Sequence, residues 1–507
     1  MIFFFNKIEL NKYQIYSIIF VAIVIFRLPF FFTDEFNWDE STYIIMGQWI
    51  LDGNLPYVDR TAVKPPLLYY LYALFVKFSF EEIFLIRFYT CALLLINLIF
   101  LNKIFKNCFN VNFSFILITS FIFSSTYIIK DSNALFSENF ATTFLLIGLY
   151  YFIRLNRNSD FFLLGFFLAC ACLVRLNLVI VPMIVFLYFI LKFKNNLKEN
   201  LNKLLLYSIG GIIVILLVFF PYISSGNLIF AWNSIIVSGA LMANNAPNSH
   251  LGALYYLLFR KSDIFDLLYF ESLFRLIFWS SSLCGLIGML KKFRDEKKFK
   301  IILFFLAIFF SIFLGARASA HYLILLNAIC CIFVSYLFIV IKENLYYLRI
   351  YLFSIFLCLT VTLFQFNKIF ENYNLHGTFY NGLAFDIASH LKDQKIEHEN
   401  IYIYKKHIAY WFLNKYPPTD ITHPSDINKE YLLPGWGRES SNKKVEMLRI
   451  LRTKPKYLVL NKDISKFMNN FFSIGSDEHK KIIKKYILDR KFDYIHIYID
   501  KKYRNLM

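Results

Sequence analysis

Acidic residues are scarce in this chain: 35 Asp and Glu stand against 54 Lys and Arg in 507 residues. The resulting net charge is +19, but the cations sit in short runs between apolar stretches and form no interleaved basic face, which argues against nucleic-acid binding. Cysteine is sparse as well. All eight cysteines lie in or beside apolar stretches and none in the polar C-terminal third, so neither a disulfide framework nor a zinc site follows. Cys170/Cys172 and Cys330/Cys331 read as small apolar packing residues. No glycine-rich phosphate loop occurs in the polar C-terminal part, which argues against nucleotide binding there. There is no internal repeat, and no low-complexity tract beyond a general Phe/Ile/Asn/Lys bias. What is abundant is apolar and aromatic surface: 58% hydrophobic and 20% aromatic residues, with 61 Phe and 34 Tyr. Soluble domains run at about 45–50% apolar. The excess excludes a soluble enzyme and excludes disorder.

A helix needs about 20 mostly apolar residues to cross a bilayer. Candidate stretches lie near 13–33, 84–104, 113–129, 137–153, 160–174, 177–192, 204–222, 271–290, 300–315, 320–341 and 349–366, about eleven in all. The first does not read as a cleaved signal peptide, because Arg27-Leu28-Pro29 leads into more Phe without a small-residue cleavage site. Lysine and arginine fall on alternate loops: Lys7 and Lys12; Lys103 and Lys106; Arg154 and Arg157; Lys192 to Lys203; Lys291 to Lys300; Lys342 and Arg349. The other loops are acidic or nearly uncharged. The positive-inside rule then puts the N-terminus in the cytoplasm and, with an odd number of spans, the C-terminal end outside. Residues 65–78 are too short to span comfortably and rich in Tyr. They read as a helix at the outer interface, within an outer loop over 34–82.

From about residue 369 the chain turns polar. Ile401–Tyr404, Tyr457–Leu460 and Tyr494–Tyr498 read as strands, with helical patterns near 382–395, 442–452 and 477–489. Alternation of this kind predicts a small α/β domain over 369–507, following a membrane domain over 1–368.

The first outer loop carries the densest chemistry: Phe36-Asn37-Trp38-Asp39-Glu40-Ser41-Thr42-Tyr43, then Gly53-Asn54-Leu55-Pro56-Tyr57-Val58-Asp59-Arg60, then Val63-Lys64-Pro65-Pro66-Leu67. Adjacent carboxylates directly after a membrane span are costly unless they have a role or a partner, and neighbouring acids perturb one another in ways that suit a general base. The alternative is that Asp39 simply caps a helix over about 40–52. Further along, Lys130-Asp131-Ser132-Asn133-Ala134-Leu135-Phe136-Ser137-Glu138 puts an acid at the mouth of a span, and Leu173-Val174-Arg175-Leu176-Asn177 puts a cation between two. Glu138 either faces a cavity or interacts with a helix dipole. Arg175 either snorkels to headgroups or adds positive charge to a site. In Gly315-Ala316-Arg317-Ala318-Ser319-Ala320-His321-Tyr322, His321 lies one turn beyond Arg317 on the same helical face.

A tandem Asp-Glu after the first span, a Gly-x-x-Pro-Tyr-x-Asp turn and Lys-Pro-Pro-Leu before an aromatic helix together resemble the GT-C glycosyltransferases, in particular the protein O-mannosyltransferase and lipid A aminoarabinose transferase families. The motifs cover residues 30–90 and the layout extends to about 340. The resemblance implies a polytopic α-helical membrane protein of GT-C type, with its C-terminal α/β domain outside the cytoplasm. It implies transfer of a monosaccharide from a polyprenyl-phosphate donor to an acceptor hydroxyl on the outer face. By it, Asp39 would be the general base, Glu40 would position it or share its role, and Glu138 would supply a further acid. Lys64, Arg317, His321 and Arg175 would meet the donor phosphate, where fixed cations stabilise the growing negative charge. Tyr43, Tyr57, Asp59, Asp131 and Tyr322 would line the substrate. A single base and a single displacement imply inversion at the sugar carbon.

Partners expected are an undecaprenyl-phosphate-linked sugar, a lipid, glycan or protein acceptor, and membrane lipids, with no nucleic acid, cofactor or metal. The composition points to an AT-rich bacterial genome and so to a bacterial inner membrane. A lipid-linked sugar flippase or transporter would instead place ionisable groups in the middle of several spans and show two-half symmetry, neither of which occurs. An O-antigen-ligase-type enzyme would use a diphosphate donor and a different long-loop motif. The histidines of the polar third, His407 and His423 among them, read as surface residues. The stretch 223–262 reads as a long loop, a cover over the site or an acceptor platform.

Overall fold

Each of the eleven apolar stretches is largely helical over its described residues in the computed structural model, which describes residues 11–111, 115–128, 130–245, 269–292, 294–314, 319–341, 344–394, 396, 398–438 and 440–504. Among the described residues six helical segments are long and apolar enough to cross a membrane: Lys12–Phe31, Ile83–Phe109, Leu176–Ser224, Leu273–Leu290, His321–Val340 and Leu345–His376. A 3-10 turn at Lys194–Asn196 divides the 49-residue Leu176–Ser224 segment. Ser137–Arg154, Asn158–Val174 and Glu296–Leu314 are further apolar helices. Large apolar side chains such as Leu187, Leu191, Leu216 and Phe220 stand exposed on helix surfaces. Bilayer lipid covers such faces and water does not favour them. The chain is a multi-pass helical membrane protein.

Two compact units divide the chain. The first holds 1–32, 84–217 and 247–371. In it the helix ends are closed by buried arginines. Arg87 Nη1 donates to the carbonyls of Phe30 and Phe31, 3.1 Å each, which are orphan acceptors at the end of the Lys12–Phe31 helix. Arg27 likewise donates to the carbonyls of Ser125 (3.0 Å) and Ser132. Gly165 sits against the backbone of Tyr207, where any Cβ would collide, so the two helices approach as closely as backbones allow.

The second unit joins 33–83 and 218–246 to 372–507. Its sheet runs β1 (Ile401–Ile403), β2 (Tyr457–Leu460), β3 (Tyr486–Phe492) and β4 (Ile495–Asp500), in the order β1-β2-β4-β3. β1 and β2 are parallel; β4 is antiparallel to both β2 and β3. Helices Leu383–Asp393, Lys443–Arg452 and Asp477–Lys485 cover it, and Met447, Ile450, Leu458, Phe467, Met468, Ile482 and Tyr498 form its core. The expected strands 401–404, 457–460 and 494–498 are all present. The helix expected over 477–489 ends instead at Lys485. Past it, Tyr486-Ile487-Leu488 pairs with β4 around the two-residue turn Asp493-Tyr494, and the Tyr486 hydroxyl donates to the Pro455 carbonyl at 2.7 Å. Aromatic and β-branched residues favour a strand once a partner strand is available, and that partner lies outside the local pattern.

Residues 223–245, expected to be loop, are largely helical over Leu228–Asn244. The run Leu228-Ile229-Phe230-Ala231-Trp232 starts that helix, and Ser238 packs against Gly435 so closely that a Cβ there would meet its hydroxyl. The remainder of the expected loop, including His250, lies outside the described residues.

Segment 33–83 is stitched to the C-terminal residues within this unit. Thr33 bridges Asn381 and Thr61 bridges Ile421, both in parallel register. Buried Asp34 accepts from the Ala384 amide (2.9 Å) and from Lys406 Nζ (2.8 Å). Gly382, at φ +136°, leaves the space that the Asp34 carboxylate fills. Arg60, largely buried, donates to the carbonyls of Thr419 (2.9 Å) and Pro417 (3.2 Å) while its guanidinium lies between the rings of Trp49 and Tyr416, 4.5 and 5.0 Å from their centroids.

Candidate active site

Asp39 occupies the first turn of the Trp38–Leu51 helix, whose N-cap Asn37 accepts from the Asp39 amide at 3.2 Å. The helix dipole favours a negative charge there. Its carboxylate is engaged on both oxygens. Tyr43, one turn on, donates its hydroxyl to Oδ2 at 3.0 Å, and His423 Nε2 lies 3.2 Å from Oδ1. The next residue, Glu40, is fully buried, and its Oε2 accepts from the Phe36 amide at 3.4 Å, folding back over the start of the helix. Glu35, just upstream, accepts from the Ile408 amide at 3.4 Å. Burial pushes its carboxyl up to about 7, with Asp34 and Glu40 adding repulsion and Ser41 and Lys406 opposing it.

A ladder of tyrosines leads from Asp39 toward Lys64. Tyr43 packs edge-on to Tyr69 (6.1 Å) and tilted on Tyr72 (5.3 Å), and Tyr57 packs on Tyr69 and Tyr222. The Tyr57 hydroxyl donates to the Lys64 carbonyl at 2.5 Å. Tyr57 itself has φ +70°, a left-handed turn closed by its amide on the Arg60 carbonyl at 2.9 Å. Lys64 directly precedes Pro65, the N-cap of the Pro66–Lys77 helix, whose Pro66 opens the first turn with its φ already helical. Tyr43 and Tyr57 are thus buried supports of the two segments that carry Asp39 and Lys64. Asp59, expected beside substrate, stands exposed on the turn.

The first unit holds a second constellation. Arg175 Nη1 lies on Glu138 Oε1 as an ion pair, with the arginine side chain 4% exposed and the carboxylate fully buried. The Ser137 hydroxyl accepts from the same Nη1 (3.0 Å) and donates to Glu138 Oε2 (2.9 Å). His321 Nε2 lies 3.5 Å from Glu138 Oε1, and its Nδ1 lies 3.9 Å from Asp131 Oδ2. The imidazole stacks on Phe136 at 5.5 Å, and the Arg175 guanidinium sits 4.5 Å over the Tyr322 ring. Glu138, Asp131, Arg175, His321 and Tyr322 are therefore brought together. Arg175 is paired and buried rather than snorkelling. Arg317 lies outside the described residues.

His423 and His407, which read as surface residues in the sequence, are not. His407 is buried, and its desolvation, with His423 and Arg60 nearby, holds its pKa down to about 3. His423 sits on Asp39, and the edge of the Trp38 ring system packs on its ring at 6.0 Å. No local pattern marks His423 as a partner of a residue 384 positions earlier. Among the described residues no group of three or more His, Cys, Asp or Glu could hold a metal ion.

Comparison with known proteins places this architecture. Residues 63–224 match the family model described as dolichyl-phosphate-mannose-protein mannosyltransferase. No curated protein matches the chain in sequence. Among solved structures, ArnT from Cupriavidus metallidurans in the apo state matches with a TM-score of 0.61 at 12% identity, covering 96% of this chain and 98% of that one. ArnT from the same organism bound to undecaprenyl phosphate matches with a TM-score of 0.57 at 11% identity, covering 95% and 97%. At such identity the likeness is one of fold. The chain has an ArnT-like GT-C fold and resembles the GT-C mannosyltransferase family over 63–224.

Proposed function

We propose that the protein is an inverting glycosyltransferase of the membrane's outer face, moving a monosaccharide from an undecaprenyl-phosphate donor to an envelope glycan, lipid A or protein acceptor. The observation that carries this reading is Asp39: a carboxylate set at a helix N-terminus, oriented through both oxygens, in a fold shared with a protein crystallised with undecaprenyl phosphate. Asp39 takes the proton of the acceptor hydroxyl while that oxygen bonds to the sugar carbon and the carbon–phosphate oxygen bond breaks on the opposite side. The leaving phosphate gains charge, and Lys64 and Arg317 stabilise it. His321, with Nε2 facing Glu138 and Nδ1 3.9 Å from Asp131 Oδ2, stands beside the phosphate, and the Arg175–Glu138 pair helps fix that imidazole. Tyr322 lies under Arg175 in the same group of side chains and would meet the substrate there.

In this reading the N-terminus is cytoplasmic, the C-terminal α/β domain is extracytoplasmic, and the membrane is a bacterial inner membrane. The test is mass spectrometry of envelope lipids, glycans and proteins from cells with and without the protein. A sugar present only with the protein identifies donor and acceptor. Identical profiles, with the protein expressed and folded, reject the reading.

A further inference from the structure

We infer that His423 is a positioning residue for Asp39, held in one tautomer by its own backbone cap. The inference rests on the reading of Asp39 as the base. His423 is the N-cap of the short 3-10 helix Pro424–Asn428, and its Nδ1 accepts from the Ser425 amide at 3.3 Å. An amide N–H only donates, so Nδ1 carries the lone pair. The Ser425 hydroxyl, 2.9 Å from the same nitrogen, is free to rotate and adds a second donor to Nδ1. The proton of the neutral ring therefore sits on Nε2, which points at Asp39 Oδ1 from 3.2 Å. The backbone of the C-terminal domain thus determines which nitrogen donates to the carboxylate.

The surroundings favour this arrangement. Asp426 Oδ1 is 3.5 Å from Nδ1, but its charge is taken up by Lys429 Nζ at 2.6 Å and it is 3.4 Å from the Ser425 hydroxyl. His407, the other imidazole nearby, stays neutral. Trp38 packs against the ring at 6.0 Å in a T-shaped contact, and Lys405 lies over Trp38 at 4.0 Å. With Tyr43 on Oδ2 and His423 on Oδ1, the carboxylate is held at both ends. It reaches the acceptor hydroxyl already oriented, at no reorganisation cost during the reaction.

Two substitutions separate positioning from mere support. In His423→Asn the side-chain oxygen still caps the Ser425 amide, but the amide is too short to reach Asp39. In His423→Gln the longer amide restores a donor near the Nε2 position while the cap is weakened. In cells lacking the native copy, we expect His423→Asn to keep the wild-type thermal midpoint and lose the sugar modification by tenfold or more. We expect His423→Gln to recover most of that modification while unfolding at lower temperature. Histidine-selective 15N NMR of the full-length protein in detergent, with His423→Asn identifying the resonance, should show Nε2 protonated and Nδ1 bare at pH 8. Wild-type modification by His423→Asn beside an inactive Asp39→Asn would overturn the inference and leave the base intact, as would an Nδ1–H tautomer. An active Asp39→Asn would instead overturn the base, and the NMR result would still decide the geometry.

Discussion

Arg175 and Glu138 form an ion pair with almost no access to solvent, the guanidinium lying over Tyr322 and the carboxylate also reached by Ser137 and His321. Removing one partner strands a buried charge, which costs about 3–5 kcal/mol. Arg175→Ala and Glu138→Ala should each lower the thermal midpoint of the detergent-solubilised protein sharply. The double variant Arg175→Met/Glu138→Leu should unfold later than either. If the double variant is as unstable as the sum of the singles, the two charges do not depend on one another.

Asp39→Asn preserves shape and the Tyr43 contact but removes basicity. Turnover should fall by about a hundredfold or more with the thermal midpoint unchanged. A well-folded variant with near-normal transfer would move the base to Glu40 or Glu138.

Lys64→Ala and Arg317→Ala should each weaken binding of undecaprenyl phosphate. If the two cations share one anion, as the proposed function has it, the double variant should lose less than the sum of the two losses. Isothermal titration with undecaprenyl phosphate measures this directly, and strict additivity would assign the two cations to different groups.

Gly382→Ala meets two obstacles at once, a φ of +136° and the Asp34 carboxylate where the methyl would stand. We expect destabilisation by about 1–3 kcal/mol. Limited proteolysis should show the C-terminal residues released earlier than in the wild type. Unchanged proteolysis and midpoint would mean that the Asp34–Ala384 contact carries no weight.

Glu35 binds its proton more tightly in the folded chain, up to about 7 against an ordinary 4.5, chiefly because it is buried. The folded state is therefore favoured at low pH by this group, and that contribution is lost as pH rises from about 4.5 through 7. Thermal midpoints measured between pH 5 and 8 should fall with pH more steeply in the wild type than in Glu35→Gln. Parallel curves would remove Glu35 as the cause.

The helical membrane architecture was legible in the sequence because it depends on a local quantity, the apolarity of successive residues, which every one of the eleven helical stretches carries. So were the strands at 401, 457 and 495, whose alternation is local as well. The acid pair at 39 and 40 and the Lys-Pro-Pro helix start are short-range features, and these too could be read directly, whereas the helix expected to be capped by Asp39 is capped two residues earlier, by Asn37. The chain ending of the helix at Lys485 could not, since it depends on the β4 partner. Nor could the contacts that give the candidate residues their surroundings. Glu138 and Arg175 are 37 positions apart, Asp34 and Ala384 are 350, and Asp39 and His423 are 384. Which nitrogen of an imidazole faces a carboxylate, and whether an arginine is paired or snorkels, depends on side chains brought together from distant segments. Residue type and spacing determine what chemistry a position can offer; only packing decides which partner it meets and in which protonation and orientation it is held.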